Sequence, residues 1–580
     1  MVAAAAQADT TARDTTARRD TTARRDTTAR DTTAAYLPVF ALPSPAGPLP
    51  AGARYSFTVD SMVLSNVQTL SDLLAHVPGV FVARGGFFGQ AEPVMFGGRG
   101  AAGLEIYWDG LPYVPLGRDS VFLDPARISL APLERVDVVV LPAALRVYLV
   151  TARQRSTTPA THIRVATGQF STATYRASYA RRWRSGLGLS LFADYNNNDG
   201  VANSASGPFN SVDIWLNAQW VPNPRFGVSY QLGNSSWKRN ESTDGRTDHF
   251  KYHRRDGILR AFVARRADGL GPRAELTLQS VTADRDTAIP ARSVKQAMLA
   301  LSNSWGRAHA GLTLRASDDD ARPWQVEADF AWRPLRPFRF AADARHARYR
   351  GGISGDRAHV AAGLTLPLGF SAHGDAAWGK DLQAPALATD TLQETVDVSG
   401  AVRWDRSWAV VEVGGARRDA FAPLGRPAGL KPLGGLNPGL RSDYLTVHGS
   451  IRPLPGVYLG GWYMNPLAGG GNDFEPPYHA RLSTTFYSKF WRVYRSGIFA
   501  LRAEAAMESW SRGLGGRDSL GVALALPGAS FIEFNVEVRV AGVTIYWIQR
   551  NTQAMRGGYV PGLDYPKRFQ FYGVHWVFTN

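Results

Sequence analysis

The sequence predicts an all-β transmembrane protein, an antiparallel β-barrel of about 22 strands with a small α+β domain ahead of it in the chain and inside its lumen. From residue 158 to the C-terminus, segments of about ten residues alternate apolar and polar positions, as in Trp324–Phe330 and Ile532–Val540. The chain has 16 Trp and 21 Tyr, residue types that form girdles at membrane interfaces. No apolar run reaches the roughly 18 residues that a transmembrane helix needs, so we predict no transmembrane helix.

Low-complexity sequence occupies residues 1–35. From residue 9 onward the motif DTTAR repeats without a large apolar side chain, so we expect this tail to be disordered. Residues 1–8 end in AQA, which has the small-residue pattern of a signal-peptide cleavage site, but they lack its basic and long apolar regions. A trimmed export signal and an ordinary alanine-rich start are both consistent with this segment.

Two further segments precede the barrel. Residues 36–54 are rich in proline, and we expect an extended linker there. Residues 55–153 mix patterns and predict a compact α+β domain of about 100 residues. Thr69–His76 predicts one amphipathic helix that ends at Pro78-Gly79. Strands are predicted at Val80–Ala83, Val94–Phe96, Leu104–Trp108 and Arg135–Leu141.

The glycines at residues 98–103, GRGAAG, have the spacing of a dinucleotide-binding loop. That loop requires a helix on its C-terminal side, whose backbone amides hold the pyrophosphate. Leu104–Trp108 instead alternates and ends in Asp109-Gly110, a pattern typical of a strand and a tight turn. We therefore interpret the glycines as part of a loop between two strands.

The alternating pattern at residues 154–580 favours a closed barrel. A soluble protein with this many strands would be divided into repeats or propeller blades, and the sequence shows no repeat of fixed length. A barrel has no open edges, and its apolar face meets lipid while its polar face meets a wet lumen. A barrel of about 22 strands is too wide for its own side chains to fill, so a domain inside it is expected.

Charge and residue usage exclude several functions. The net charge is +16, but arginines such as Arg339 and Arg345 are scattered along strands, unlike the concentrated basic patch of a nucleic-acid module. The chain has no cysteine, which excludes disulfides and thiolate metal sites. We interpret His249, His253 and Asp318–Asp320 as parts of loops or turns rather than metal ligands. With neither HExxH nor GxSxG present, we predict no enzyme, no cofactor and no metal site.

Residues Thr69–Thr151 resemble the plug domain of TonB-dependent outer-membrane receptors. The resemblance rests on the helix followed by VPGV, an Arg-Gly before a strand, the DGLP turn and the LERVDV strand. At the C-terminus, GVHWVF is similar to the last-strand signal of outer-membrane barrels. The matching positions are Arg99, Gly100, Asp109, Gly110, Glu134 and Arg135 in the plug, and Gly573, Trp576 and Phe578 at the C-terminus.

The resemblance implies a monomeric receptor of the outer membrane that takes up a scarce solute, such as a ferric chelate, a vitamin or a glycan. It implies contact with lipid and lipopolysaccharide, assembly by the barrel assembly machinery and energy from the periplasmic protein TonB. The candidate TonB box is Tyr36, Leu37, Pro38, Val39 and Phe40. For Arg99 and Asp109 it implies a charge network that locks plug to barrel; a solvated turn is the alternative, and we favour a structural role for both.

One segment departs from the family pattern. Leu141-Pro142 lacks the usual glycine, Tyr148 is followed by Leu149, and the segment to Thr151 is compressed, so we expect the last plug hairpin to be shorter than in the family. Two other interpretations therefore stay open. The chain could be a non-transporting surface or signalling barrel with a vestigial plug, or a soluble carbohydrate-binding or hydrolytic β-array.

Overall fold

The computed structural model describes residues 35–40, 54–59, 62, 67–84, 89, 92–97, 99, 103–116, 123–200, 207–240, 249–284, 291–383, 385, 390–422, 435–469, 472–490, 493–560, 563–565 and 567–579. All of the predicted tail 1–35 except Ala35 lies outside the described residues, including its signal-peptide motif, as do Gly98 and Gly100. Within the described ranges, no helix is both long and apolar enough to cross a membrane.

An α+β domain, hereafter the plug, forms the N-terminal part of the fold. Its helix α1 (Leu70–Leu74) begins at Thr69, whose Oγ1 accepts from Asp72 N at 3.1 Å while the Asp72 carboxylate accepts from Thr69 N at 3.3 Å. This reciprocal cap explains why the helix begins there. The plug strands are β1 (Arg54–Thr58), β2 (Phe81–Val82), β3 (Val94–Met95), β4 (Leu104–Trp108), β5 (Leu111–Pro112), β6 (Leu133–Val140) and β7 (Leu145–Thr151).

The main plug sheet has the strand order β1-β6-β7-β4-β5, with β4 parallel to β7 and the other pairs antiparallel. β2 and β3 form a separate ribbon. Apolar side chains of α1 and of the sheet form one core, in which Leu73, Val138 and Val147 are fully buried. The strands predicted from the sequence are present, although β2 is shorter than predicted because only Phe81 and Val82 pair with β3.

The barrel consists of 22 antiparallel strands and closes where β33 pairs with β8, as the sequence predicted. Two small hairpins, β27–β28 and β31–β32, lie in its connections. The later strands in chain order are β8 (Ala160–Gly168), β9 (Thr172–Arg182), β10 (Leu187–Asn198), β11 (Phe209–Asn223), β12 (Phe226–Arg239), β13 (Phe250–Ala264), β14 (Gly271–Ala283), β15 (Arg292–Trp305), β16 (Ala308–Ser317), β17 (Trp324–Trp332), β18 (Phe338–Arg348), β19 (Ser354–Thr365), β20 (Phe370–Asp381), β21 (Gln393–Asp405), β22 (Ala409–Arg418), β23 (Ser442–Leu454), β24 (Val457–Ala468), β25 (His479–Ser488), β26 (Phe499–Trp510), β27 (Gly513–Arg517), β28 (Ala523–Leu526), β29 (Ala529–Val540), β30 (Val543–Arg550), β31 (Gly558–Val560), β32 (Leu563–Asp564) and β33 (Phe569–Thr579).

Polar side chains of the wall point into the lumen. On β29, Glu533, Asn535 and Glu537 are buried at alternate positions, although they belong to the barrel wall. Apolar side chains of other wall strands, such as Leu482 and Val263, are more than half exposed on the face of the wall that points away from the lumen. Since charged groups are rarely buried without partners, the buried polar rows indicate that the lumen is filled.

The two rims of the barrel differ in their connections. Short turns join strands at one rim, for example at residues 183–186 and 541–542, whereas a longer connection at residues 511–528 lies at the other. In barrels of this type the short turns face the periplasm and the long loops face outward. β8 begins and β33 ends at the rim with the short turns, so the plug joins the barrel on the periplasmic side.

Candidate functional site: the plug–barrel interface

Arg99, predicted as a plug motif residue, contacts the barrel wall. Its Nη2 lies 2.6 Å from Asp397 Oδ2 on β21, and the two side chains are 6% and 7% exposed. The guanidinium also lies 4.6 Å from the ring centroid of Phe421. Arg99 is therefore a buried plug cation held by a barrel carboxylate rather than a solvated turn residue. Its motif partner Gly100 lies outside the described residues.

Asp109 forms the second predicted contact. It has a φ of 50° and Gly110 a φ of 86°, the left-handed pair of a tight turn after β4. The Asp109 carboxylate accepts from Thr151 N at 2.9 Å, from Gln231 Nε2 on β12 at 2.8 Å and from Arg153 Nη2 at 3.1 Å. Asp109 thus joins the turn to the end of β7 and to the wall.

Arginine from β13 completes this turn site. Arg260 Nη1 donates to the Asp109 carbonyl oxygen at 2.6 Å, and Nη2 donates to the Trp108 carbonyl at 3.0 Å. The Trp108 ring stacks on Trp215 of β11 at 4.4 Å. Burial alone would raise the pKa of Asp109, but Arg153 and Arg260 outweigh burial and lower it. The carboxylate therefore stays charged.

Glu134 and Arg135 lie elsewhere. A Glu134 carboxylate oxygen accepts from Arg153 N at 3.2 Å, and Arg135 Nε lies 3.0 Å from Asp137 Oδ2 on the same strand. Both contacts are within the plug. The LERVDV motif thus stabilises the plug sheet itself, and among these described contacts neither side chain reaches the wall.

A buried ion cluster that the sequence did not indicate surrounds Arg84. The Arg84 guanidinium pairs with Glu533 of β29 and lies 3.8 Å from Glu508 of β26. Arg84 Nε also lies 3.8 Å from Asp72 of α1, and a carboxylate oxygen of Asp72 in turn lies 2.7 Å from Arg550 Nη2 of β30. Burial would raise the pKa of Asp72, but Arg550 and Arg84 outweigh burial and lower it. More than 400 residues separate these partners in sequence, which is why no local pattern revealed them.

A second unpredicted cluster, the Glu105 cluster, lies on the side of the lumen lined by β18–β20. Glu105 Oε2 of β4 lies 3.2 Å from Arg146 Nε of β7, and Glu105 Oε1 lies 3.4 Å from Arg345 Nη1 of β18. Arg357 of β19 also pairs with Glu105. Burial would raise the pKa of Glu105, but these three arginines outweigh burial and lower it. The remaining members of the cluster are Asp343 and Asp381.

The candidate TonB box lies at the periplasmic rim. Tyr36 pairs with Ser156 in the strand-like connection between plug and barrel, and Leu37 N donates to Arg155 O at 2.9 Å. The ring of Phe40, 1% exposed, packs edge-on against Phe262 at 4.7 Å, and Arg182 of β9 donates to the Pro38 carbonyl. Tyr36 by contrast is 81% exposed.

The C-terminal residues singled out from the sequence lie in the strand that closes the barrel. Trp576 pairs with Val543 on one side and with Ile163 on the other. Gly573 lies opposite Tyr546 of β30, and Phe578 is 47% exposed.

Histidine and acidic residues do not assemble into a metal site in the described part of the chain, where no group of three or more such side chains could hold a metal ion. His253 lies in β13 rather than in a loop, and its ring nitrogens lie 2.6 Å from Asp284 Oδ2 and 2.7 Å from Asn234 Oδ1. Asp318 and Asp319 form the predicted turn between β16 and β17.

Comparisons with known proteins agree with this architecture. Residues 50–147 match the family model of the TonB-dependent receptor plug domain. The structure resembles a mutant ferric enterobactin receptor from Pseudomonas aeruginosa, with 11% identity, coverage of 91% of this chain and 98% of the other, and a TM-score of 0.68. The siderophore receptor PirA from Acinetobacter baumannii has 10% identity and a TM-score of 0.69, with coverage of 92% of this chain and 100% of the other. The copper transporter OprC has 12% identity and a TM-score of 0.68, with the same two coverages. No curated protein sequence matches the chain.

Proposed function

We propose that this chain, an outer-membrane protein with the plug and the barrel of TonB-dependent transport receptors rather than an enzyme, takes up a scarce solute with energy supplied through TonB. The observation that carries this proposal is the folded plug bound across the lumen by buried ion pairs. Each buried pair has its two partners on different units, so the plug cannot move out of the lumen without separating several buried charges from their partners at once. Active uptake past it requires work from outside.

The segment Tyr36–Phe40 is our candidate for the site where TonB acts. It lies at the periplasmic rim, it is already extended, and it precedes the plug in the chain. An extended segment pairs with a partner by adding a strand, which uses backbone hydrogen bonds. Because Phe40 is buried and Pro38 is held by Arg182, the segment must first leave the rim. Only then does its backbone become available.

In this proposal residues 36–54 are a linker, residues 55–153 are the plug and residues 154–580 are the barrel. The solute passes between the plug and the barrel. We expect a monomer inserted by the barrel assembly machinery through the Gly573–Phe578 strand, in contact with lipid and lipopolysaccharide. For the solute we propose a ferric chelate, a vitamin or a glycan. The ferric enterobactin and copper named for similar structures support the metal-carrying class.

A second candidate function follows from the short β6–β7 hairpin. Residues 141–144 connect the strands, with Leu141 N donating to Ala144 O at 2.8 Å. A plug with less chain to remodel suits a surface or signalling barrel that transports nothing. This alternative predicts no growth defect after loss of the gene.

Growth of a deletion strain on defined iron, vitamin and glycan sources tests the proposal. We expect a defect on one source, restored by the intact gene but not by Val39→Pro, because proline removes a backbone donor from the added strand. A Tyr36→Phe variant is the matched control and should restore growth. Equal growth of the deletion strain on all sources would favour the non-transporting barrel. Full restoration by Val39→Pro would argue against TonB coupling at this segment.

A further inference from the structure

Two cavities lie on the same side of the plug, between it and the barrel wall. The first has a volume of about 170 Å³, and its lining includes Tyr107 and Tyr148 of the plug and His309 and Asp329 of the wall. The second, of about 100 Å³, includes Ala144 of the plug in its lining. Both exceed the roughly 10–15 Å³ that one water requires, and both are lined in part by charged side chains such as Arg146, so both are large and polar enough to admit water.

The cavities lie toward opposite rims. The larger one reaches His309 and Ser302, beside the periplasmic turn between β15 and β16. The smaller one reaches Gln383 and Gln393, at the outward ends of β20 and β21. Arg146 of the plug lines both, so the same side chain separates them.

The barrier between the cavities is the Glu105 cluster. Arg146 Nη1 lies 2.8 Å from Asp343 Oδ1, which ties the plug to β18. Arg345 Nη2 and Arg357 Nε lie 2.7 and 2.6 Å from Asp381 Oδ2, and both arginines also pair with Glu105. Three guanidinium groups and three carboxylates therefore occupy the gap without net charge.

The short hairpin explains why there is space here. Leu141, Ala143 and Ala144 line the outer cavity. These residues belong to the connection between β6 and β7, which the resemblance to the family leads us to expect to be short. A longer connection with larger side chains would fill the volume that the two alanines leave open.

We propose that the short β6–β7 hairpin creates a narrow aqueous passage for small hydrated ions beside the folded plug, and that the Glu105 cluster is its gate. The gate opens by local rearrangement of arginine side chains while the plug stays in place. Neither TonB nor a transported ligand takes part. The passage is therefore a function distinct from the proposed uptake.

Conductance of the purified full-length chain in planar lipid bilayers, without TonB, tests this passage. We expect the wild type to be mostly closed and Glu105→Gln to raise the open probability at least tenfold. Its current should prefer anions, because three arginines then face two carboxylates. Arg345→Met combined with Arg357→Met weakens the gate from the barrel side and should also conduct, but its current should prefer cations, because one arginine then faces three carboxylates. Glu134→Gln, a plug carboxylate away from the wall, is the matched control and should behave like the wild type.

A filling variant locates the route. Ala144→Trp in the Glu105→Gln background should return the current to the wild-type level, because the indole occupies the outer cavity. Continued conduction in that double variant would overturn the proposed route. The gate would be overturned if the plug variant and the barrel variant both conducted no more than the wild type. Heat-modifiable migration on a gel must show that both variants are folded barrels. Growth on the limiting nutrient source is scored separately, so this failure is distinguishable from failure of TonB-coupled uptake.

Discussion

Arg99 of the plug and Asp397 of the barrel form a buried ion pair, with Arg99 Nη2 2.6 Å from Asp397 Oδ2. Asp397 Oδ1 also accepts from Asp419 N at 2.9 Å, so a hydrogen bond within the barrel holds the carboxylate in position for Arg99. Because the arginine is removed from water, its partner is needed to offset the cost of burial. The pair is therefore a fixed point of attachment between the plug and the barrel.

Arg99→Ala should loosen the plug and let large antibiotics leak through the barrel. Loss of one partner leaves a buried, unpaired carboxylate, and the expected loss of plug stability is about 3–5 kcal/mol. Growth inhibition by an antibiotic that the outer membrane normally excludes measures the leak. Arg135→Ala, which removes a plug arginine that does not reach the wall, should leave growth unchanged. Unaltered permeability of Arg99→Ala at normal protein levels would contradict the attachment.

Asp109→Asn should weaken the plug more mildly. Asparagine tolerates the left-handed backbone of Asp109 and keeps an acceptor for Thr151, but it loses the charge that faces Arg153 and Arg260. We expect a loss of about 1–3 kcal/mol, measured as faster cleavage of the plug by trypsin in the folded barrel. Asp109→Ala should be worse, because the alanine also strains the turn. Equal cleavage rates for both variants and wild type would show that the turn contributes nothing.

Glu92 should make the plug less stable as pH rises. Burial, followed by the charges of Asp72 and Asp124, raises the pKa of Glu92 from 4.5 to about 8. Between these values the folded plug holds a proton that the unfolded chain has released. Stability from this group is therefore lost with increasing pH, by up to about 1.4 kcal/mol per pH unit.

Urea unfolding of the plug, followed by tryptophan fluorescence at pH 5.5 and pH 7.5, measures this dependence. Glu92→Gln should shift the midpoint less between the two pH values than the wild type does, whereas Glu134→Gln should shift it as the wild type does. The same shift in Glu92→Gln and wild type would mean that another group titrates.

Gly573→Ala should hinder closure of the barrel. A Cβ at Gly573 would clash with the ring of Tyr546, whose hydroxyl accepts from Arg164 Nε at 2.8 Å. We expect a lower fraction of heat-modifiable, folded protein and recovery in the double variant with Tyr546→Ala. At Gly460 an added Cβ meets nothing closer than 3.7 Å, so Gly460→Ala is the control. Normal folding of Gly573→Ala would show that the ring moves aside freely.

The barrel was predictable from the sequence because each of its strands has one apolar and one polar face, and a period of two is visible locally. The helix that starts near Thr69 and the turn at Asp109 were equally visible, since both depend on neighbours within a few residues. Strand bounds in the plug were less exact, because β2 and β3 are brief and their pairing depends on the fold around them.

The interface could not be predicted in the same way. Glu105 looks like an ordinary polar position of an alternating strand, and its partners Arg345 and Arg357 look like ordinary lumen-facing arginines. Only closure of the barrel around the plug brings them together. Arg84 and Glu533, which are 449 positions apart, show the same limit of local patterns.

Cross-linking of TonB to a cysteine at Val39 tests the central proposal most directly. The chain has no cysteine of its own, so Val39→Cys introduces a single reactive thiol. In cells that carry TonB with a cysteine in its periplasmic domain, we expect an adduct that increases when the growth-limiting nutrient is supplied. A cysteine at Leu520, exposed in an outward loop, should give none. Absence of the Val39 adduct under every nutrient condition, with folded protein present, would contradict TonB-coupled transport.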